Sequence, residues 1–260
     1  TSTLKALEPQ IATIEDRQQY IESVYGVEKK PLPYLLGITN LIMHDIDNPK
    51  LFHGNSLERN VREFSEPDKF DIILMNPPYG GTEQESIKIN FPPDMRSSET
   101  ADLFIALVLY RLKTNGRAAI IIPDGFLFGT DNPKVTLKKK LLEEFNLHTI
   151  VRMPTSVFSP YTSITTNILF FENTNPTEKV WFYRVDMPEG YKHFSKTKPM
   201  KLDHFDSCVA WWKNREDIKD TETDTFKAKA FSVQELADRG YDFDLCGYPT
   251  AEEEVLSPEE

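Results

Sequence analysis

The chain has 260 residues, enough to bury one full core with an appendage. Its 41 acidic against 30 basic residues give a net charge of −11, which excludes the usual profile of an isolated duplex-DNA binder; a DNA substrate would have to be met inside an assembly whose partner supplies the basic groove. No apolar run approaches the roughly 20 residues that span a bilayer, Thr1 opens an amphipathic segment with no basic region before an apolar stretch, and the two cysteines, Cys208 and Cys246, lack metal-like spacing. The expectation is a cytoplasmic protein with reduced thiols, no metal and no membrane association. The chain does not start with methionine, which suggests a fragment or a processed chain.

In chain order, Leu4, Leu7, Ile11, Ile14 and Ile21 recur at helical spacing and predict helix over residues 1–23, interrupted at Pro9. Residues 24–28 read as a short strand ending in Glu28, a carboxylate placed to accept hydrogen bonds from ribose hydroxyls. Pro31 and Pro33 open a helix to about Asp45, with Leu35, Leu36, Ile42 and Met43 as its apolar bulk. Residues 51–54 form the next strand, and Asn55-Ser56 after it offer polar side chains to a nucleoside base edge.

Residues 70–81, FDIILMNPPYGG, dominate the sequence. The apolar run suits a central strand buried on both faces, and Pro77-Pro78 forbid its continuation. Asn76 to Tyr79 should then sit at the carboxyl end of that strand, where open α/β sheets bind ligands. Residues 80–100 are too long and irregular for a simple connection and read as a lid. Thr100 starts a helix with Leu103, Phe104, Leu107, Val108 and Leu112 on its apolar face, ended by Asn115-Gly116. Strands follow at 117–122, 147–153 and 164–172, with 180–185 pairing beside the last; a helix spans 134–146. The loop between the second and third of these strands carries Phe158, an aromatic that could pack on a target base.

Strand–helix alternation over residues 24–172 implies an α/β fold with a doubly wound, mostly parallel sheet in residues 1–186. Beyond it, residues 187–260 read as an irregular, helical extension suited to subunit contacts, with helices at 206–213 and 232–238 and an acidic end. Basic runs at Lys138-Lys139-Lys140 and along Lys192, Lys196, Lys198 and Lys201 read as solvated faces. The sequence has no G-x-G turn, so the close backbone approach to a cofactor that a first strand would provide is missing.

The chemistry of Asn-Pro-Pro-Tyr follows from its residue types. A planar exocyclic amine such as adenine N6 is a poor nucleophile. The Asn76 side-chain oxygen and the Pro77 carbonyl could accept its two N–H hydrogens and localise the lone pair, the prolines hold both acceptors rigid, and Tyr79 offers a ring for an extruded base.

On NPPY, and on YGVEKKPLPYLLGITNL, HGNSL, TADLFIALVLYRLKTNGRAAIIIPDGFLFG, SITTNILFFEN and RGYDFDLCGYP, nearly the whole chain resembles the carboxyl-terminal part of the modification (M) subunit of type I restriction–modification systems. The resemblance implies methyl transfer from S-adenosylmethionine to adenine N6 in DNA, a sheet lacking its first strand with the glycine-rich motif I, and a specificity and a restriction subunit as partners. It implies cofactor contacts for Glu28, Asn55 and Ser56, catalytic roles for Asn76, Pro77, Pro78 and Tyr79, and base packing for Phe158. That family usually has Asp and Thr where this chain has Asn55 and Ser56. Two other readings stand beside it: methylation of RNA or a protein glutamine, and a non-catalytic fragment that docks a partner or self-associates.

Overall fold

The computed structural model describes residues 2–221, 223 and 225–248. By packing, the chain divides into two units, Thr1–Arg59 and Asn60–Glu260, each with a sheet of its own.

In the first unit, α1 (Ser2–Leu7) runs into a 3-10 turn holding Pro9, and α2 (Ile14–Glu22) restarts behind a capping box. There the Thr13 Oγ1 accepts from Asp16 N at 3.0 Å and Asp16 returns a carboxylate oxygen to Thr13 N at 2.9 Å. The proline thus breaks the helix as expected. Leu4, Tyr20 and Ile46 are buried together against Ile11, Ile21, Val24 and Leu41. β1 (Tyr25–Glu28), α3 (Pro31–Ile42) and β2 (Lys50–His53) make a βαβ unit whose strands pair in parallel. The apolar bulk of α3 is not packed: Leu32, Leu35, Leu36, Ile42 and Met43 are all exposed.

The second unit contains β3 (Phe70–Met75), α4 (Glu85–Lys88), α5 (Thr100–Arg111), β4 (Leu112–Pro123), α6 (Asp124–Phe128) and α7 (Asn132–Glu143). It continues with β5 (Asn146–Arg152), β6 (Thr166–Glu172), β7 (Lys179–Arg184), α8 (Asp206–Lys213), β8 (Ile218–Lys219), β9 (Phe226–Ser232) and α9 (Val233–Asp238). Its sheet has the order β3-β4-β6-β5-β7-β9-β8. β3, β4, β5 and β7 run one way, with β6 and β9 against them. The β5–β6 connection holds no helix, so the chain returns antiparallel between β4 and β5. These four strands, with which β8 also runs, therefore release their carboxyl ends along one edge, at Asn76, Asp124, Met153 and Val185.

Three expectations are corrected. β3 is not central: among the described residues it pairs only with β4, and although Ile73 is buried, Ile72 and Leu74 are 52% and 62% exposed. The helix of residues 100–116 stops at Arg111, because Leu112 already starts β4 and residues 113–116 loop out to bond Asn173, with Asn115 N donating to its carbonyl at 2.8 Å. Residues 179–184 pair with β5, since β6 is already flanked on both sides. Past residue 186, β9 pairs with β7 and extends the same sheet. Its FKAKAFS sequence alternates lysine with small residues and carries little strand signal.

Candidate active site

Two groups of candidate residues emerge, one in each unit. In the first, Glu28 and Asn55 lie at the carboxyl ends of neighbouring parallel strands. A Glu28 carboxylate oxygen accepts from Lys30 N at 2.7 Å, and Gly54 N donates to the Glu28 carbonyl at 3.1 Å, which fixes the two strand ends together. The Asn55 Oδ1 accepts from Leu57 N at 3.1 Å, an Asx turn that leaves its amide nitrogen as the available donor. Ser56 is half-buried beside it. A carboxylate and an amide donor on adjacent strand ends suit the ribose and base edge of a nucleoside.

In the second unit, the chain leaves β3 at Asn76. Pro77 is buried and Pro78 exposed, so one ring wedges the turn into the core while the other faces solvent. Gly80 has φ +70°, open to glycine at little cost. A Cβ on Gly81 would sit 3.0 Å from the Thr100 Oγ1, and the Gly81 carbonyl accepts from Thr100 N at 3.0 Å. With the Thr82–Glu99 bridge, this closes the neck of the loop over residues 82–99. Phe91 and Met95 are fully buried within it, so it is an anchored loop rather than the swinging lid its irregular sequence suggested. Lys134 holds the neck from outside, with its ammonium 2.6 Å from Glu99 and 3.1 Å from both Asp102 and Asp131.

Asn76 is exposed, and its Oδ1 accepts a hydrogen bond from the Tyr79 hydroxyl. Burial pushes the Tyr79 phenol up to about 12, so it remains a donor at neutral pH. The Tyr79 ring meets that of Phe158, centroids 6.0 Å apart and planes tilted by 59°. The structure therefore brings Asn76, Pro77, Pro78, Tyr79 and Phe158 together.

Sequence reasoning passed over three buried cations along the same edge. Arg152 donates to Asp124 at 3.0 Å, to Asp244 at 2.9 Å and to the Leu245 carbonyl at 2.8 Å. Arg184 donates to the Gly247 carbonyl at 3.0 Å. Lys138, expected on a solvated face, is fully buried and donates to the carbonyls of Leu127, Gly129 and Tyr241 at 2.6–2.8 Å, with its ammonium 5.0 Å from the Phe243 ring. Together they strap residues 241–248 across the strand ends, and Arg152 alone of the three also lines a cleft of about 540 Å³ with Asp124, Thr155, Thr165, Asp244 and Tyr248. A charged residue closing an apolar strand, as in LHTIVR and VWFYR, was the available signal.

A mostly parallel α/β sheet with a polar proline turn at the carboxyl end of a strand defines a Rossmann-like domain of the S-adenosylmethionine-dependent methyltransferase type. Residues 3–255 match the N-6 DNA Methylase family model, and the chain belongs to that family. It is 44% identical to the type I restriction enzyme EcoEI methylase subunit of Escherichia coli over 90% of its own length and 48% of that subunit. A crystal structure of a modification subunit from Vibrio vulnificus YJ016 superposes with a TM-score of 0.82 at 43% identity, over 90% of this chain and 48% of that one. A structure from work on assembly and conformational transition of the type I R-M system gives a TM-score of 0.86 at 34% identity, over 99% and 54%. The chain thus spans about half the length of these relatives.

Proposed function

We propose that this chain is the substrate-handling part of a type I modification subunit that transfers a methyl group from S-adenosylmethionine to adenine N6 in DNA. The observation that carries the reading is the turn at the end of β3, with Asn76 exposed on a frame closed by Pro77 and the glycine neck and with Phe158 in ring contact with Tyr79. The target base enters by opening the tilted ring pair and stacking on Tyr79. Its amino group takes the Asn76 Oδ1 from the Tyr79 hydroxyl and gives its second hydrogen to the Pro77 carbonyl, which concentrates the nitrogen lone pair for attack. The methyl donor supplies a good leaving group, so positioning does most of the remaining work.

Glu28, Asn55 and Ser56 would hold the nucleoside end of the cofactor. The sequence holds no glycine turn for its amino-acid end. On this reading a strand and glycine turn for that end would come from a longer polypeptide of which these residues are a part, with a specificity subunit and a restriction subunit as partners, in keeping with a chain that spans about half the length of its relatives. The decisive experiment uses the native polypeptide with its specificity subunit and hemimethylated DNA. Asn76→Ala should abolish methyl transfer while S-adenosylmethionine binding, read by calorimetry, is retained. Unimpaired transfer by the variant rules out the assigned role. Transfer to RNA or to a glutamine peptide in place of DNA would move the same site to a different substrate.

A further inference from the structure

The two basic runs of this acidic chain have different fates. Lys138-Lys139-Lys140 is absorbed by the fold: Lys138 is buried, Lys139 lies 4.9 Å over the Tyr241 ring, and Lys140 pairs with Glu144 at 2.6 Å. The run from Lys192 to Lys201 is instead displayed. Lys192, His193, Lys196, Lys198 and Lys201 are all exposed, and residues 191–201 contain no acidic side chain. Among the described residues, none of the four lysines forms a salt bridge; Lys198 lies 5.3 Å over the Tyr191 ring.

This display is held in place. Phe194 is buried and packs against the rings of Tyr191 and His204 at 5.7 and 5.6 Å. Ser195 and Lys198 exchange backbone hydrogen bonds at 3.0 and 3.1 Å, which fixes the turn between them. Most telling is the anchor: Phe194 N donates to the Ser156 Oγ at 2.8 Å. Ser156 lies in the loop that carries Phe158, so the lysine segment is bonded to the loop facing Tyr79. At the outer end of that loop, Tyr161 is 92% exposed and held by its N–H on the Phe158 carbonyl at 2.9 Å.

We infer that residues 191–201, with Tyr161 at their side, form the surface on which this chain grips the phosphate backbone of the strand that carries the target base. The inference rests on the reading of the turn at Asn76 as the target-base site. An extruded base stays tied to the phosphates on either side of it, so a site for the base needs a cationic bank within a few nucleotides, and this is the unpaired cationic segment joined to the base loop. Such contacts hold the strand without reading its sequence, consistent with lysines as point charges.

The test measures duplex affinity against salt for the native polypeptide assembled with its specificity subunit. Replacing Lys192, Lys196, Lys198 and Lys201 by Gln should make the slope of log K against log salt shallower by about 3 to 4, roughly 0.9 for each phosphate left without its lysine, and weaken binding at least about tenfold at moderate salt. Lys139→Gln with Lys140→Gln should leave the slope unchanged. A wild-type slope in the fourfold variant, with folding intact by circular dichroism, overturns this inference alone, because Asn76→Ala tests the base site independently. If the wild-type assembly binds no duplex at all, both readings fall.

Discussion

At the scale of the residue, the Tyr79 hydroxyl occupies the Asn76 acceptor that the proposed substrate amine would take. Two roles of the tyrosine are therefore separable. Its ring provides a stacking face, worth about 1–3 kcal/mol per base on aromatic platforms. On that reading its hydroxyl keeps the asparagine oxygen satisfied until substrate arrives, and with the phenol raised to about 12 it stays protonated near neutrality. Tyr79→Phe should accordingly keep transfer within a few-fold of wild type, whereas Tyr79→Ala should lose roughly 10- to 100-fold. Initial rates with labelled cofactor on hemimethylated DNA measure both, and a Phe variant as slow as the Ala variant would assign the hydroxyl a direct part in the chemistry.

At the scale of the element, apolar patterning located most of the second unit. The strands ending at Met75, Arg152 and Glu172 and the helix over 206–213 lie close to where their residue types place them. What patterning could not reveal is which element neighbours which. The pairing of β7 with β5 depends on an antiparallel insertion decided by a helix-free connection, and β9 is legible only once β7 is there to pair with it. Such pairing also produces environments that no local window shows. His148 on β5 is packed between Phe170 of β6 and Trp212 of α8, with ring centroids at 6.5 and 5.8 Å. Burial, with the Arg215 charge adding to it, lowers its imidazole to about 4 from 6.5. The unfolded chain takes up the proton at the higher pH, so this histidine's contribution is complete above about pH 6.5 and is lost as the pH falls to about 4, by on the order of 2–3 kcal/mol. His148→Phe removes that titration. Denaturant midpoints should show the variant gaining on wild type as the pH drops from about 6.5 to about 4, while a constant difference across that range would mean that the folded state does not resist protonation.

At the scale of the whole molecule, the grouping of the candidate residues was more legible than the sheet that carries them. Asn76-Pro77-Pro78-Tyr79 announced itself because two prolines must end a strand and an asparagine beside them has a definable chemistry. Phe158 followed from its loop. The strap over residues 241–248 was invisible, because it depends on Lys138, Arg152 and Arg184 being buried, and cations in a sequence, single or in a run, look like surface. The largest disagreement is β3, which has the composition of a strand covered on both faces and yet leaves Ile72 and Leu74 exposed on a strand with one partner among the described residues. An open, apolar, parallel edge recruits another strand or aggregates. On the proposed function, a strand from a longer polypeptide would satisfy both the backbone groups and the side chains of β3, and would bring a glycine turn for the cofactor to the strand end beside Asn76. Hydrogen exchange distinguishes this from a genuine edge. In the native polypeptide, the β3 amides directed away from β4 should exchange at least about 100-fold more slowly than in the 260-residue chain, a ladder bond within a core sheet opening only with sub-global unfolding. Equal exchange in the two would show that β3 ends the sheet in both, and the cofactor's turn would then have to reach Asn76 by another route.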